Sequence, residues 1–498
     1  MVLPLTRREF MGLSAVTSMG VLAACASDDD GGAVLSSSQA VREREPAAGT
    51  AAAVTAEYRA RPLELDLAGR VASTWGYSDS VPGKLLRARA GDVVEVTVAN
   101  ELPEATSIHW HGLAIVNSMD GVPGLTQSDI AVGSSFTYRF TVPDPGTYWF
   151  HPHHGLQLER GLYAPFIIDD PDENVEYDEE YVLILDDWID GLGSSPEQEL
   201  ARIRAAGAAM DPENMDHGDM EMASSPLLGG DAGDAVYTYH LVNGRPLGDP
   251  PTLEPRPRPG ARIRIRLINA GGDTAYRFAI GGHRLTVTHA DGFAVEPVTV
   301  DALLIGMGER YDVVVDVQSG AWPIVALAEG KQDRAAAVLR SADASAASPP
   351  DLTADVRELD GEWLRYSSLK AAGAAVLALP DTKIREHVVR LTGGMAAFDW
   401  SIDDRRFGDH LPIEVETDEW ISLIFENASD MWHPMHVHGH TPQLTGLPGG
   451  VRKDTVNVLP GDSVTMTFQA SNPGQWMVHC HNAYHLESGM ATVLSYVD

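Results

Sequence analysis

One pattern recurs three times along the 498-residue chain and limits its architecture more than any other feature. Residues 90–100 read AGDVVEVTVAN, residues 259–269 read PGARIRIRLIN, and residues 419–427 read EWISLIFEN. Each copy ends an alternating apolar run on an asparagine, and the first two open on a turn. Alternation with a period of two marks a half-buried strand. Its recurrence predicts three related β-sandwich domains in series. The length agrees, since one hydrophobic core rarely supports so many residues. The 47 glycines and 31 prolines suit many short strands and few long helices.

The first and third copies share more than the strand. HWHG at 109–112 is echoed by HVHG at 436–439, and DPGTYWFHPH at 144–153 by NPGQWMVHCH at 472–481. The separation of His111 from His151 nearly equals that of His438 from His479, so the two domains are expected to set these pairs in equivalent places. The middle segment has no such pair. It carries a polar run containing Met210, Met215, His217, Met220 and Met222. Thioether and imidazole groups suit Cu(I), so this run reads either as an extra copper site or as a solvated acidic loop. Residues 249–259 and 335–350, rich in Pro or in Ala and Ser, read as connectors. The expected domains are residues 56–172, 173–350 and 351–498.

Ten of the 18 histidines fall in four tight motifs: His109/His111, His151/His153, His433/His436/His438 and His479/His481/His485. Residues i and i+2 on a strand point the same way, so the paired positions converge on one face. Four pairs drawn from two homologous domains build a cage of eight imidazoles, which core packing does not require. Cys480 lies between His479 and His481 and is expected to point to the opposite face. There His433, His485 and Met490 complete a His₂Cys set with a weak thioether, the ligand recipe of a blue-copper centre. Structural zinc would not call for the methionine. The imidazole-only face then suits a copper cluster able to meet dioxygen. Pro152 takes the place of the cysteine in the first domain, which leaves one point of electron entry.

The motifs HWHG, HPH, HPMHVHG and HCHNAYHLESGM resemble the four copper signatures of multicopper oxidases of the laccase and cuprous-oxidase kind, and the likeness spans about residues 55–498. The resemblance implies an all-β fold of three consecutive cupredoxin-like Greek-key β-sandwich domains, with four copper ions per chain. It implies a type 1 copper at His433, Cys480, His485 and Met490, and a type 2 copper at His109 and His436. It implies two type 3 coppers held by His111, His151, His153, His438, His479 and His481. Asp120 stands where this family often carries an acid that feeds protons to the cluster, a chemical need because dioxygen reduction consumes them. Its other reading is a turn residue before Gly121. Glu487, two positions past His485, is a second acidic candidate. His154 and His440 extend their motifs but read as lying off the ligand face. A methionine at 490, where many fungal laccases carry a non-ligating residue, implies a lower type 1 potential.

The implied reaction is one-electron oxidation of a phenol or arylamine coupled to four-electron reduction of dioxygen to water. A metallo-oxidase acting on cuprous, ferrous or manganous ions is the alternative, favoured by acidity and the Met run. A copper store or envelope structural protein is the non-enzyme alternative. Copper nitrite reductase shares the blue centre but has no need of the paired histidines.

The formal charge of −35 repels nucleic acid and anionic membrane surfaces and favours neutral or cationic partners. The two cysteines, Cys25 and Cys480, sit in contexts too different for a disulfide. Cys25 belongs to the amino terminus. Thr6-Arg7-Arg8-Glu9-Phe10 precedes an apolar stretch from Met11 to Ala24 that is too short to span a bilayer, so residues 1–25 read as a twin-arginine export signal. Leu22-Ala23-Ala24-Cys25 also resembles a lipobox, with Cys25 the lipidated residue. Export to the periplasm or the medium follows as an expectation. Residues 26–55 are polar and are expected to form a flexible tether.

Overall fold

The computed structural model describes residues 32–208 and 223–497. Residues 1–25, read above as an export signal, with Cys25 among them, and the Met run of 210–222 lie outside the described residues. Ala33–Asp498 forms one compact unit built almost wholly of strands. Its large sheets fall into three pairs that follow one another along the chain. Two four-stranded sheets lie between Val54 and Asp169, a seven- and a four-stranded sheet between Glu179 and Arg340, and two five-stranded sheets between Arg385 and Val497.

The recurring strand has the same neighbours in every pair. Val93–Asn100 runs parallel to Val54–Leu67 and antiparallel to Ser135–Thr141. Arg262–Asn269 sits likewise between Glu179–Trp188 and Arg310–Asp316, and Trp420–Asn427 between Arg385–Thr392 and Ser463–Gln469. Alternation works as expected in the first copy, where Val94, Val96 and Val98 are fully buried. The terminal asparagine has one task in all three. Its Nδ2 donates to two carbonyls, those of Glu104 and Ile130 for Asn100, Thr274 and Ile305 for Asn269, and Met431 and Val458 for Asn427. Its Oδ1 accepts from the backbone N–H two residues on. A strand end that would strand buried peptide groups is thereby satisfied by one side chain.

Three expectations require correction. The strand Arg262–Asn269 is not half-buried: Arg264 and Arg266 are interior. Asp312 faces both guanidiniums, at 2.5 and 3.2 Å, and Glu173 and Glu180 cover their other sides, so the charges are paired rather than solvated. Residues 335–340 are no connector. They form the strand Arg334–Arg340 on Ala321–Ala328, in which small size lets Ala335, Ala336 and Ala337 pack fully buried. Within the described part of the expected tether the chain is packed rather than free. Val34 and Val41 are buried, Val34 N–H donates to Tyr496 O at 2.8 Å, and Gln475 Nε2 donates back to Val34 O at 2.9 Å. Two apolar anchors in a polar stretch suffice to hold it down.

Candidate metal centre

Strand register assembles the histidines. His109–His111 pairs with Gly146–His151 so that His109 faces His151, and His433–Val437 pairs with Gln475–Cys480 so that His436 faces His479. The first and third domains thereby bring eight imidazoles together. His111, His151 and His481 converge, as do His153, His438 and His479, and His109 converges with His436 and His438. His438 Nε2 lies 3.0 Å from His479 Nε2.

Four of the rings are held through Nδ1 by a backbone carbonyl. Carbonyls accept from Nδ1 of His109 (Asp120 O, 3.0 Å), His151 (Pro152 O, 2.9 Å), His436 (Asp454 O, 3.0 Å) and His479 (Cys480 O, 2.9 Å). Since a carbonyl only accepts, the hydrogen sits on Nδ1 and the Nε2 lone pair is available. Nε2 of His109, His151, His153 and His436 is buried without a hydrogen-bond partner, as are Nδ1 of His111 and both nitrogens of His481. Burial first, and then the neighbouring imidazoles, hold His111, His151, His153, His438, His479 and His481 well below the usual histidine range. A crowd of neutral, unpaired, buried lone pairs fits a soft or borderline cation and little else.

On the other face of Cys480 a second group forms. Cys480 Sγ lies 3.7 Å from His433 Nδ1 and 3.6 Å from His485 Nδ1. The far nitrogens are fixed, His433 Nε2 by Ser429 Oγ at 2.8 Å and His485 Nε2 by Asp234 Oδ2 at 3.3 Å. Met490 is buried beside them. Its carbonyl accepts from Cys480 N–H and its N–H donates to His485 O, both at 3.0 Å. Burial pushes the Cys480 thiol up and His485 down to about 3, so both are neutral until a cation supplies charge. His485 sits in the short helix Ala483–Ser488, whose first N–H groups are capped by Asn482 Oδ1. Tyr484 of the same helix donates to the buried carboxyl of Glu159 at 3.1 Å, which Tyr237 shares at 2.9 Å.

Three models of the multicopper oxidase family match the chain, over residues 61–173, 179–344 and 382–498. A Mycobacterium tuberculosis protein named Multicopper oxidase MmcO is 44% identical over 496 residues, covering 99% of this chain and 97% of that protein. The chain belongs to the multicopper oxidase family. Copper resistance protein A of Escherichia coli is 30% identical, covering 82% of this chain and 87% of its own. Among solved structures, the laccase of Botrytis aclada superposes with a TM-score of 0.74 at 26% identity, covering 91% and 89% of the two chains. As a multicopper oxidase the protein is an oxidoreductase that uses oxygen, and the donor sets described here fit copper.

In this multicopper oxidase Asp120 is buried within the histidine cage. Its Oδ2 accepts from His438 Nδ1 at 3.0 Å, and its Oδ1 lies 3.2 Å from His109 Nδ1. Glu487 is the exception among the expected site residues. It is exposed, and its charged neighbours are Arg204, His154 and Glu197 rather than a cluster histidine. Position i+2 shares a face with i on a strand, but residue 487 is on a helix, where two steps turn the side chain through about 200°. His440 is buried between His438 O and Tyr496 Oη, and His154 pairs with Asp129, so neither faces a metal group.

Several partners escaped sequence reasoning. Ser429, Asp454 and Thr455 fix ligand rings from within the third domain. The adjacent Lys453-Asp454, two charges opening the strand Thr455–Val458, was their only visible trace. Asp234 and Glu159 reach the site from other domains and leave no local signal.

Proposed function

We propose that this multicopper oxidase is an exported enzyme that oxidises a metal cation, Cu(I) foremost, one electron at a time beside His485 and reduces dioxygen to water within the histidine cage. The observation that carries the choice of substrate is the carboxylate on His485. Asp234 Oδ2 is 3.3 Å from His485 Nε2, while its Oδ1 is buried without a partner. Asp231 lies close by, and burial and then Asp234 lift it to about 7. An unpaired buried carboxylate oxygen beside a second carboxyl favours a cation. The likeness to Copper resistance protein A points the same way, as does the Met run, which joins this region through Ala223 in sequence. Cations thereby move ahead of the phenols and arylamines that the sequence put first. Phenols keep a claim, because the same Asp234 oxygen can take the proton a phenol loses on oxidation, and the laccase likeness supports them.

Copper at these groups supplies the one-electron redox steps and the oxygen-reducing centre, in the arrangement the family resemblance implies: type 1 at His433, Cys480, His485 and Met490, type 2 at His109 and His436, type 3 at the other six histidines. The chain's own contribution is positional. Cys480 is bonded through one backbone to His479 on one side and His481 on the other, so two short covalent paths join the two groups. Asp120, between His109 and His438, is the carboxyl placed to hold a proton where oxygen is consumed. Export through the twin-arginine segment, with Cys25 as a lipid anchor, completes the proposal.

The test is oxygen uptake with Cu(I) and with a substituted phenol for wild type, Asp234→Asn and a chain lacking residues 209–222. Asp234→Asn should lower cuprous kcat/KM about tenfold or more, with a smaller effect on the phenol. Loss of 209–222 should reduce cuprous oxidation selectively. Equal, unchanged rates on both substrates in both variants would remove the case for a metal substrate.

A further inference from the structure

Among the described residues the middle domain supplies no histidine to either metal group, yet one of its turns is pressed against the cage. Gly308, at φ 83°, lies so close that a Cβ there would be 2.9 Å from His111 Cε1 and 3.0 Å from His481 Cδ2. Two residues on, the Arg310 side chain is fully buried. Its Nη1 and Nη2 each donate at 2.7 Å to the two oxygens of Asp454, and its Nε donates to Thr147 O at 3.1 Å. One guanidinium thus joins all three domains. Gly112 must be glycine for this reason, since a Cβ would stand 2.4 Å from Arg310 Nη2.

Asp454 faces two ligand rings at once. Its Oδ1 is 3.3 Å from His111 Nε2 and 3.4 Å from His436 Nδ1, and Thr455 Oγ1 lies 3.2 and 3.1 Å from the same two nitrogens. Those atoms could gather a metal of their own. The bidentate guanidinium argues otherwise, because it already occupies both carboxylate oxygens and supplies the compensating charge. The opposite nitrogens, His111 Nδ1 and His436 Nε2, are the ones buried without partners.

We propose that Arg310 is a positioning residue of the copper cluster: by gripping Asp454 it keeps the ring hydrogen on His111 Nε2, so that His111 presents Nδ1 to copper, and it holds in place the residue whose backbone carbonyl fixes His436 Nδ1 and leaves His436 Nε2 to copper. A neutral imidazole has one N–H, and whichever nitrogen meets the acceptor keeps it. The middle domain therefore governs loading of the type 2 and type 3 sites. The blue centre at His433, Cys480 and His485 has no contact with Arg310 and serves as an internal reference.

This inference rests on the copper assignment above, and wild type is measured alongside to keep the two apart. Wild type, Arg310→Met and Arg310→Lys are loaded with copper(II) sulfate, dialysed, and examined for bound copper, blue absorption and the type 2 electron paramagnetic resonance signal. Arg310→Met should keep wild-type blue absorption per chain while its type 2 copper binds about 10-fold to 100-fold more weakly. Arg310→Lys, which keeps the charge but not the fork, should fall between. If Arg310→Met does not fold, which the absence of any blue centre would reveal, Arg310→Lys decides: a weakened type 2 signal beside an intact blue centre supports the proposal. Wild-type type 2 affinity in a blue variant overturns it. A wild type that binds no copper overturns the copper assignment itself, and this inference with it.

Discussion

Cys480 is a donor of one metal group and is flanked in sequence by two histidines of the other, and its chemistry makes two predictions. Cys480→Ser should abolish the blue absorption while leaving the circular dichroism spectrum unchanged, since the side chains differ little in size and a hydroxyl can stand beside His433 and His485 as the thiol does. An intensely blue Cys480→Ser protein would refute the ligand assignment. The second concerns protons. His485 is already neutral above about 3, whereas burial holds the thiol above its ordinary value of 9.0. Binding at neutral pH therefore displaces one proton, from sulfur, and none from the rings. Because the thiol is protonated across pH 5 to 8, raising pH favours the thiolate and hence the metal. Affinity at this site should climb about tenfold per pH unit over that range, the slope of one proton, measured by competition with a copper chelator. A steeper slope would mean that the imidazoles are protonated in the apo-protein.

At the scale of the element, the repeated strand and its asparagine form one unit. The asparagine is fully engaged in each copy, and removing it would leave two buried carbonyls and one N–H unpaired. Asn427→Ala should cost about 1–3 kcal/mol, read as a fall in the denaturation midpoint of the copper-loaded protein. It should also weaken the blue centre, because Ser429, which fixes His433, bonds to Asn427 Oδ1 at 2.7 Å. Asn100→Ala, far from that centre, should lose similar stability with no change in colour. The short helix Ala483–Ser488 teaches the opposite lesson. It interrupts strand periodicity inside the motif HCHNAYHLESGM, so His485 turns inward while Glu487 turns to solvent.

For the whole molecule, three sandwiches close on buried charge as much as on apolar surface. Asp454, Arg310, Asp291, Lys453 and Glu309 are all interior, and Lys453 Nζ lies 2.9 Å from both Asp291 and Glu309. The amino-terminal arm adds an ordinary apolar seal. Beginning the chain at Thr50 removes Val34 and Val41 from the core and should cost about 3 kcal/mol, at 1.5 kcal/mol or more for each buried valine. Thermal melts of the truncated and full chains would check this, and equal midpoints would show that the arm is passive.

By itself the sequence determined the number of domains, the strands that carry the ligands, and the division of His479, Cys480 and His481 between two faces. Each follows from a period-two pattern or from identity between copies, both of which are local. Asp120 was legible as a candidate but not as a buried bridge between His109 and His438, because the second of these lies in another domain. Asp234 on His485, Glu159 on Tyr484 and Arg310 on Asp454 were decided only by tertiary structure. Their partners are hundreds of residues away or lie in the middle domain, and a buried charge is recognisable only once the fold reveals what neutralises it.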